Sequence, residues 1–475
     1  MNRAYEAIQD TRRSVPDPTP VLFLIAAVSS LLYYMEGMTW AAMSLLCIVL
    51  VPAFVYVVSR SSTFALAAMI ISAAVPRYFV EILGSKARPE HIVTGLMCIA
   101  AIFIYKQRSQ APRWIFPDLL VLSFVALNIY SSVFQSMDPS QTFKWSIHQT
   151  LVVIPYFLIR LIADSEKKLR RAVNLLLLVG AFEGAYAAIC FYSYLILGTT
   201  FGIEPGQYGN IPGIYGTQLE ANILGSYNGA CFIMMLVMYS KLRERKYLWG
   251  IACTYAGLII SLSRAAIGAT TVALLVFSVY AIKGKWFNKT MLARVATPLL
   301  AVTLILGVSA IPMYVQRFST LDVSDLSADE NTRVRLLTMG EATVDIAKHP
   351  MLGNGTASFQ LGFDYKDFGY GDVDVNGWIG NTELRILHDT GIIGLAVFAW
   401  FLFWVAVKGV RIIRSDPDPG LIGLVLSAVV YCISFQATEG SMMTFPWIHI
   451  GLIVCFIALG TKAASKDELA VPRNG

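Results

Sequence analysis

The chain has 475 residues, of which 56% are hydrophobic and 14% charged, with a mean hydropathy of +0.61. Soluble domains carry about a quarter charged residues, so this balance excludes an ordinary soluble protein and points to an all-α polytopic membrane protein. The net charge of +6 is spread over short loops, as topology signals are, and offers no footprint for nucleic acid.

Residues 1–18 are polar, with Arg12 and Arg13 just before the apolar run Val21 to Tyr34. That run ends in "YYMEGM" without a small-residue cleavage site, so it reads as a first span and not as a removable signal peptide. A bilayer-crossing helix needs about 20 mostly apolar residues. Windows of that kind centre near residues 27, 49, 72, 98, 125, 153, 184, 229, 255, 274, 304, 396, 429 and 453. Those near 72, 98 and 153 are the weakest, which leaves about 12–14 spans.

Alternate connections hold Arg60; Lys106, Arg108 and Arg113; Lys167, Lys168, Arg170 and Arg171; Lys241, Arg243, Arg245 and Lys246; Lys283, Lys285, Lys289 and Arg294; Lys408, Arg411 and Arg414. The tail adds Lys462, Lys466 and Arg473. The other short connections are poor in cations, with Lys86 and Arg88 the main exception. This asymmetry predicts both termini inside the cell. The seven cysteines (Cys47, Cys98, Cys190, Cys231, Cys253, Cys432, Cys455) all fall in apolar runs and form no CxxC, so they read as small hydrophobes and not as a metal or disulfide set.

Glu183, in mid-span within "GAFEGAY", either binds a polar neighbour or marks a proton or substrate path. An outer loop of roughly twenty residues runs from Thr199 to Gln218. The span near 229 opens with "GIYGTQLEANILGSYNG", where Glu220 sits at the outer mouth and Asn222, Ser226 and Asn228 carry polarity inward. Gly225 and Gly229 form a GxxxG step, read as close helix packing. Glu220 is either a helix-start carboxylate favoured by the macrodipole or a site acid. In "SLSRAAIG" the turn is so tight that Arg264 must stand at the mouth of two helices. It either snorkels to lipid headgroups or faces an anion, and anion binding gains favour when several arginines converge beside an ordered loop.

From residue 316 to 381 the chain leaves the membrane in one large outer loop, and a long loop in a compact protein is usually functional. Inside it, Thr332 to Lys348 reads as an amphipathic helix that Pro350, Gly353 and Gly355 terminate, suited to lie along the outer leaflet through Val334, Leu337, Met339 and Val344. The outer cations are then Arg264, Arg317, Arg333, Arg335, Lys348, Lys366 and Arg385. The loop re-enters the membrane through "GNTELRILHDTGIIGLAVFAW". Asn381 fits an N-cap and Glu383 the first turn, where a carboxylate is favoured on dipole grounds alone. Arg385 and Asp389 are spaced to pair with each other, with His388 beside them. Yet four ionisable groups are more than a helix needs merely to begin. Gly391 and Gly394 are expected to let the apolar continuation pack closely on a neighbour.

There is no P-loop, HExxH, GxSxG or Rossmann fingerprint, so ATP-driven, zinc-proteolytic and serine-hydrolytic chemistry lose support and no cofactor or metal is expected. Four stretches, in order, resemble the O-antigen ligase and O-antigen polymerase superfamily of bacterial envelope enzymes. They are "GTQLEANILGS" (like G-T-x-x-x-P-N-x-L-G), "LSRAAIGA", "RLLTMGEATVDIAKHPMLGNGTASF" (like the helix leading to H-P-L-L-G-x-G) and "NTELRILHDTGIIGL" (like N-x-x-L-x-x-L-x-E-x-G-x-x-G). The likeness covers about residues 210–400. It implies a helical membrane glycosyltransferase (GT-C-like) fold that joins a glycan carried on undecaprenyl pyrophosphate to a glycan or lipid acceptor on the periplasmic side of the inner membrane. Membrane lipids and other polysaccharide-assembly proteins would be its remaining partners.

On that reading residues 1–18 are a cytoplasmic segment, 19–462 the transmembrane glycosyltransferase domain and 463–475 a cytoplasmic tail. Arg264 and at least one of Arg333 and Arg335 would bind the pyrophosphate, Arg385 would meet donor phosphate or hold the acid, and Glu220 and Asn222 would also line the substrate site. Ligases carry a His just before the Asn of the last motif, where this chain has Gly380, and often an Arg before the G-T motif, where it has "IPGIYGT". A polymerase with Glu383 as base is therefore the first expectation, His388 is the second candidate base, and a ligase is the alternative. A lipid-linked oligosaccharide flippase is the rival of another class; Glu183 would suit it, and the long loop and lack of repeat symmetry argue against it.

Overall fold

The structure is a computed structural model that describes residues 40–82, 85–106, 114–208, 211–319, 330–363 and 377–470. The expected segment 1–18, the apolar window near residue 27 and Lys366 lie outside the described residues, as does the side chain of Arg317.

Helices dominate. In chain order they are α1 (Trp40–Arg60), α2 (Ser62–Ala73), α3 (Pro89–Lys106), α4 (Phe116–Phe134), α5 (Pro139–Ile162), α6 (Glu166–Leu197), α7 (Ala221–Leu242), α8 (Arg245–Ile260), α9 (Arg264–Lys283), α10 (Lys289–Ser319), α11 (Glu330–Ile346), α12 (Ser358–Gly362), α13 (Thr382–Ser415), α14 (Pro419–Ser434) and α15 (Thr444–Ala470). Two antiparallel hairpins interrupt them, β1 (Val80–Ile82) with β2 (Ser85–Ala87) and β3 (Ile203–Tyr208) with β4 (Ile211–Ile214). The second hairpin occupies the Thr199–Gln218 stretch, so that connection is built and not merely long.

Among the described residues eight helices are long and apolar enough to cross a membrane, which makes this a multi-pass membrane protein. The count is smaller than the number of sequence windows because the window near 27 lies outside the described residues, the one near 453 falls in the shorter apolar stretch Thr444–Gly460, and four others lie in bent or short helices. The windows near 49 and 72 lie in helices bent by 119° to each other, a broken span or a re-entrant loop, and counting them as one span gives nine. Those near 255 and 429 lie in helices of 16 residues, short of the usual crossing length.

The centre of the bundle is α7. Almost its whole length is buried, consistent with a helix that is apolar on every side. It packs against α6, α8, α9 and α14. Its GxxxG step does what the spacing predicts. A Cβ added at Gly225 would stand 2.6 Å from Ser261 Oγ, and one at Gly229 would stand 2.2 Å from Thr270 Oγ1, so the glycines admit the turn and helix that carry Arg264.

Candidate active site

The helix that opens with Glu383 is two helices. Within α13 the backbone of Gly391 leaves the helical region (φ 67°, ψ −171°), separating the polar turns Thr382–Thr390 from the apolar helix beyond. The loop 349–355 fills the gap bond for bond. Ile392 N donates to Pro350 O (2.9 Å) and Ile393 N to Met351 O (3.3 Å), while the carbonyls they would have used, His388 O and Asp389 O, accept from Asn354 N (2.8 Å) and Gly355 N (3.1 Å). Each such bond contributes about 0.5–1.5 kcal/mol net. The glycines are needed because the backbones touch: a Cβ at Gly353 would lie 2.4 Å from Asp389 C, and one at Gly391 would lie 2.3 Å from Met351 C. Gly391 therefore serves a break spliced by a distant loop, which corrects the expectation that it merely permits helix packing. Asn381 is the expected N-cap, its Oδ1 accepting from Leu384 N at 2.8 Å.

The break presents a buried ionic cluster. Arg385, 2% exposed, sets Nε 3.3 Å from Asp389 Oδ2 and Nη1 2.8 Å from Glu439 Oε2. Its guanidinium also lies over the Trp378 ring at 4.9 Å. The sequence left open whether Arg385 meets phosphate or holds acids, and here it holds two. Asp389 accepts in addition from Ala357 N at 3.0 Å and pairs through Oδ1 with His388 Nδ1 at 3.1 Å. His388, 1% exposed, has Phe359 edge-on to its ring, and its Nε2 stands 3.6 Å from Asp345 Oδ2, an ion-pair distance too long for a hydrogen bond. The imidazole, and after it the Lys348 ammonium at 2.6 Å, hold the Asp345 carboxyl down to about 2 against its partial burial.

Glu439 belongs to the turn Phe435–Met443, which ties this end of the bundle together. Ser441 N donates to Glu439 Oε1 at 2.6 Å, Gly440 N to Thr382 Oγ1 at 2.9 Å, and Thr382 N to Phe435 O at 3.1 Å. Thr438 donates its hydroxyl to Glu220, and Gln149 Nε2 holds Ser441 O at 2.8 Å. Arg88 reaches in from the start of α3, donating to Met442 O at 2.9 Å while pairing with Glu90 at 3.1 Å. The exception to the loop-charge asymmetry is thus a cation built into this turn.

The remaining expected residues fall around the same end. Glu220 is the N-cap residue of α7 and carries the Thr438 bond. Asn222 accepts from Ser263 Oγ at 2.9 Å, and Ser263 caps α9 by accepting from Ala266 N, so Asn222 positions the turn that presents Arg264. Leu262, in the left-handed region at φ 53°, makes that turn tight enough to put Arg264 first in α9. Arg333 is exposed and Arg335 half-buried on α11, where the Arg335 stem passes 3.6 Å from where a Gly380 side chain would begin. The amphipathic helix exists close to its expected bounds, but it docks on α12 and α13 through Leu337, Thr338 and Ala342, leaving Val344 62% exposed.

Glu183 lies apart. Thr217 donates its N–H (2.9 Å) and its hydroxyl (2.6 Å) to the two carboxylate oxygens, so the mid-span acid binds a polar neighbour, the first of its two readings.

Glu383 differs from these acids. Half-buried in the first turn of α13, it has a buried Oε2 with no hydrogen-bond partner among the described residues. Glu90 is the other described carboxylate of which this holds. Asp345, Glu439 and Arg88 were not singled out from the sequence. The first two lie far along the chain from His388 and Arg385, and Arg88 was signalled only as a cation on the wrong side of the charge pattern. Among the described residues no group of three or more His, Cys, Asp or Glu is arranged to hold a metal ion.

No curated protein matches the chain. Residues 249–399 match the family model described as O-antigen ligase. That range contains Arg264, α11, the splicing loop and the polar start of α13. This match supports the O-antigen ligase and polymerase superfamily as the chain's family.

Proposed function

We propose that this protein is a polysaccharide polymerase of the bacterial inner membrane, transferring a glycan from undecaprenyl pyrophosphate to a hydroxyl of an acceptor glycan on the periplasmic side. The observation that carries the reading is the unengaged, buried Oε2 of Glu383 in the first turn of the helix that also carries Arg385, His388 and Asp389. In the proposed step the acceptor hydroxyl gives its proton to Glu383 and its oxygen attacks the anomeric carbon. The bond from that carbon to the phosphate oxygen breaks, and the lipid pyrophosphate leaves. Arg264, with Arg333 or Arg335, neutralises the departing diphosphate, since guanidinium groups match phosphate oxygens two at a time. Arg385 and His388, locked by Asp389, Glu439 and Asp345, position the helix that presents Glu383. The ligase reading, with lipid A-core or another acceptor, stays second because Gly380 stands where ligases have a His.

In this reading both termini are cytoplasmic and residues 316–381 lie outside, supported by the Lys and Arg asymmetry. Met351, 57% exposed, offers the topology test. A Met351→Cys variant should react with an impermeant maleimide applied from the periplasm, and reaction only after the inner membrane is opened would overturn the orientation. The activity test is transfer by purified protein in detergent given the lipid-linked glycan. An enzyme lengthens the glycan there, whereas a flippase leaves it unchanged because detergent abolishes compartments.

A further inference from the structure

A closed circuit of contacts runs round the mouth of the cluster. Arg385 lies over Trp378, Trp378 meets Trp145 edge to face at 5.9 Å, Trp145 meets His148 at 5.7 Å, and His148 meets His91 at 4.8 Å. His91 Nε2 is 3.3 Å from Arg88 Nη2, the same nitrogen holds Met442 O, and Met442 N and Arg385 both meet Glu439. The circuit thus joins α3, α5, the approach to α13 and the Phe435–Met443 turn. Trp378 is 38% exposed, while Trp145, His148 and Arg88 are half-buried, so the circuit has an open side.

Tryptophans near a membrane mouth often anchor in the lipid interface. These differ, because Trp378 has a buried guanidinium on its ring and a second indole standing perpendicular to it. The combination is suited to a sugar. A pyranose presents a face of weakly positive C–H groups, which the negative face of an indole attracts, and a rim of hydroxyls, which imidazole and guanidinium groups can meet.

We infer that Trp378 and Trp145 form a stacking platform for one sugar ring of the glycan, with His148 and Arg88 facing its hydroxyls. The inference rests on the transferase reading for its biological sense but is separable from it by measurement. Trp378 touches Arg385, which lies on the same helix as the proposed base. Both donor and acceptor carry sugars, and the two are told apart by which Michaelis constant moves.

The test uses the full-length protein in detergent and, as probe, the oligosaccharide released by mild acid from the host's own lipid-linked glycan. Calorimetric titration should show Trp378→Ala weakening its binding at least tenfold, Trp145→Ala weakening it three- to tenfold, and Trp378→Phe restoring it to within threefold. Thermal melts matched to wild type show that the variants are folded, and the Phe variant keeps the question open to measurement if the Ala variant is not. In the transfer assay a raised acceptor KM assigns the platform to the acceptor, and a raised donor KM assigns it to the donor. Wild type that binds the oligosaccharide through these tryptophans but transfers nothing would sink the transferase reading and leave the platform standing. Wild type that transfers, with Trp378→Ala and Trp145→Ala unchanged in titration and in both KM values, overturns the platform.

Discussion

Two acids of this chain stand on membrane helices, and their surroundings differ in kind. Glu183, 5% exposed in α6, is met by two neutral donors from one residue, Thr217, and by the bare backbone of Gly216, where a Cβ would stand 2.5 Å from its Oε1. Glu183 pins the "YGTQ" turn to the bundle, and both of its oxygens are used. At the start of α13, by contrast, Arg385, His388, Asp389, Glu439 and Asp345 pair with one another, while Glu383 of the same helix keeps an oxygen without a partner among the described residues. Burial alone therefore does not separate the two acids; the engagement of their oxygens does.

The sharpest break of that contrast is Arg385→Met. It strands Glu439 and Asp389 as buried carboxylates, and loss of one partner of a buried pair costs about 3–5 kcal/mol. The variant should fail to accumulate or melt far below wild type, with Glu439→Gln in the same chain recovering part of the loss. Arg264→Ala comes next. If it removes a charge-assisted contact to the leaving diphosphate, transfer should fall roughly 30- to 1,000-fold (about 2–4 kcal/mol) at normal protein level. Arg264→Lys should rescue poorly, because an ammonium has no fork. Full transfer by Arg264→Ala would remove that role.

A smaller effect is expected from Asp345. Its carboxyl is held at about 2, below the usual value of about 3.9, so the folded state binds its proton less readily than the unfolded state does. The stabilisation is therefore complete above about pH 4 and lost as pH falls towards 2. Melting temperatures of Asp345→Asn should change less than those of wild type between pH 5 and pH 2. Parallel curves would show that the pairing with His388 contributes nothing to stability.

Local signals were legible in the sequence: the Asn381 cap, the tight Ser261–Arg264 turn, the Gly225/Gly229 step and the helix of the large loop. Each depends on neighbours within a turn or two. The break at Gly391 was not legible, because a glycine in an apolar run looks the same whether it packs or splits a helix, and the splicing bonds come from residues 350–355. Glu439 and Asp345 escaped for the same reason, since partners on other elements leave no spacing to read. The bend between α1 and α2 was not legible either, because a hydropathy window reports composition and cannot register an angle of 119°.

The most direct measurement sets Glu383→Gln beside Glu183→Gln in one detergent assay of glycan transfer. Both changes remove a charge and keep the shape, and the amide introduced by Glu183→Gln still offers an oxygen to the Thr217 N–H. A general base contributes typically 10²–10⁴-fold, whereas a first-turn carboxylate serving only the helix dipole contributes about 0.3–1 kcal/mol to stability. The account predicts at least a hundredfold loss of transfer for Glu383→Gln in folded protein, and Glu183→Gln within a few-fold of wild type. Glu383→Gln remaining within a few-fold of wild type, or Glu183→Gln being the inactive one, would contradict it.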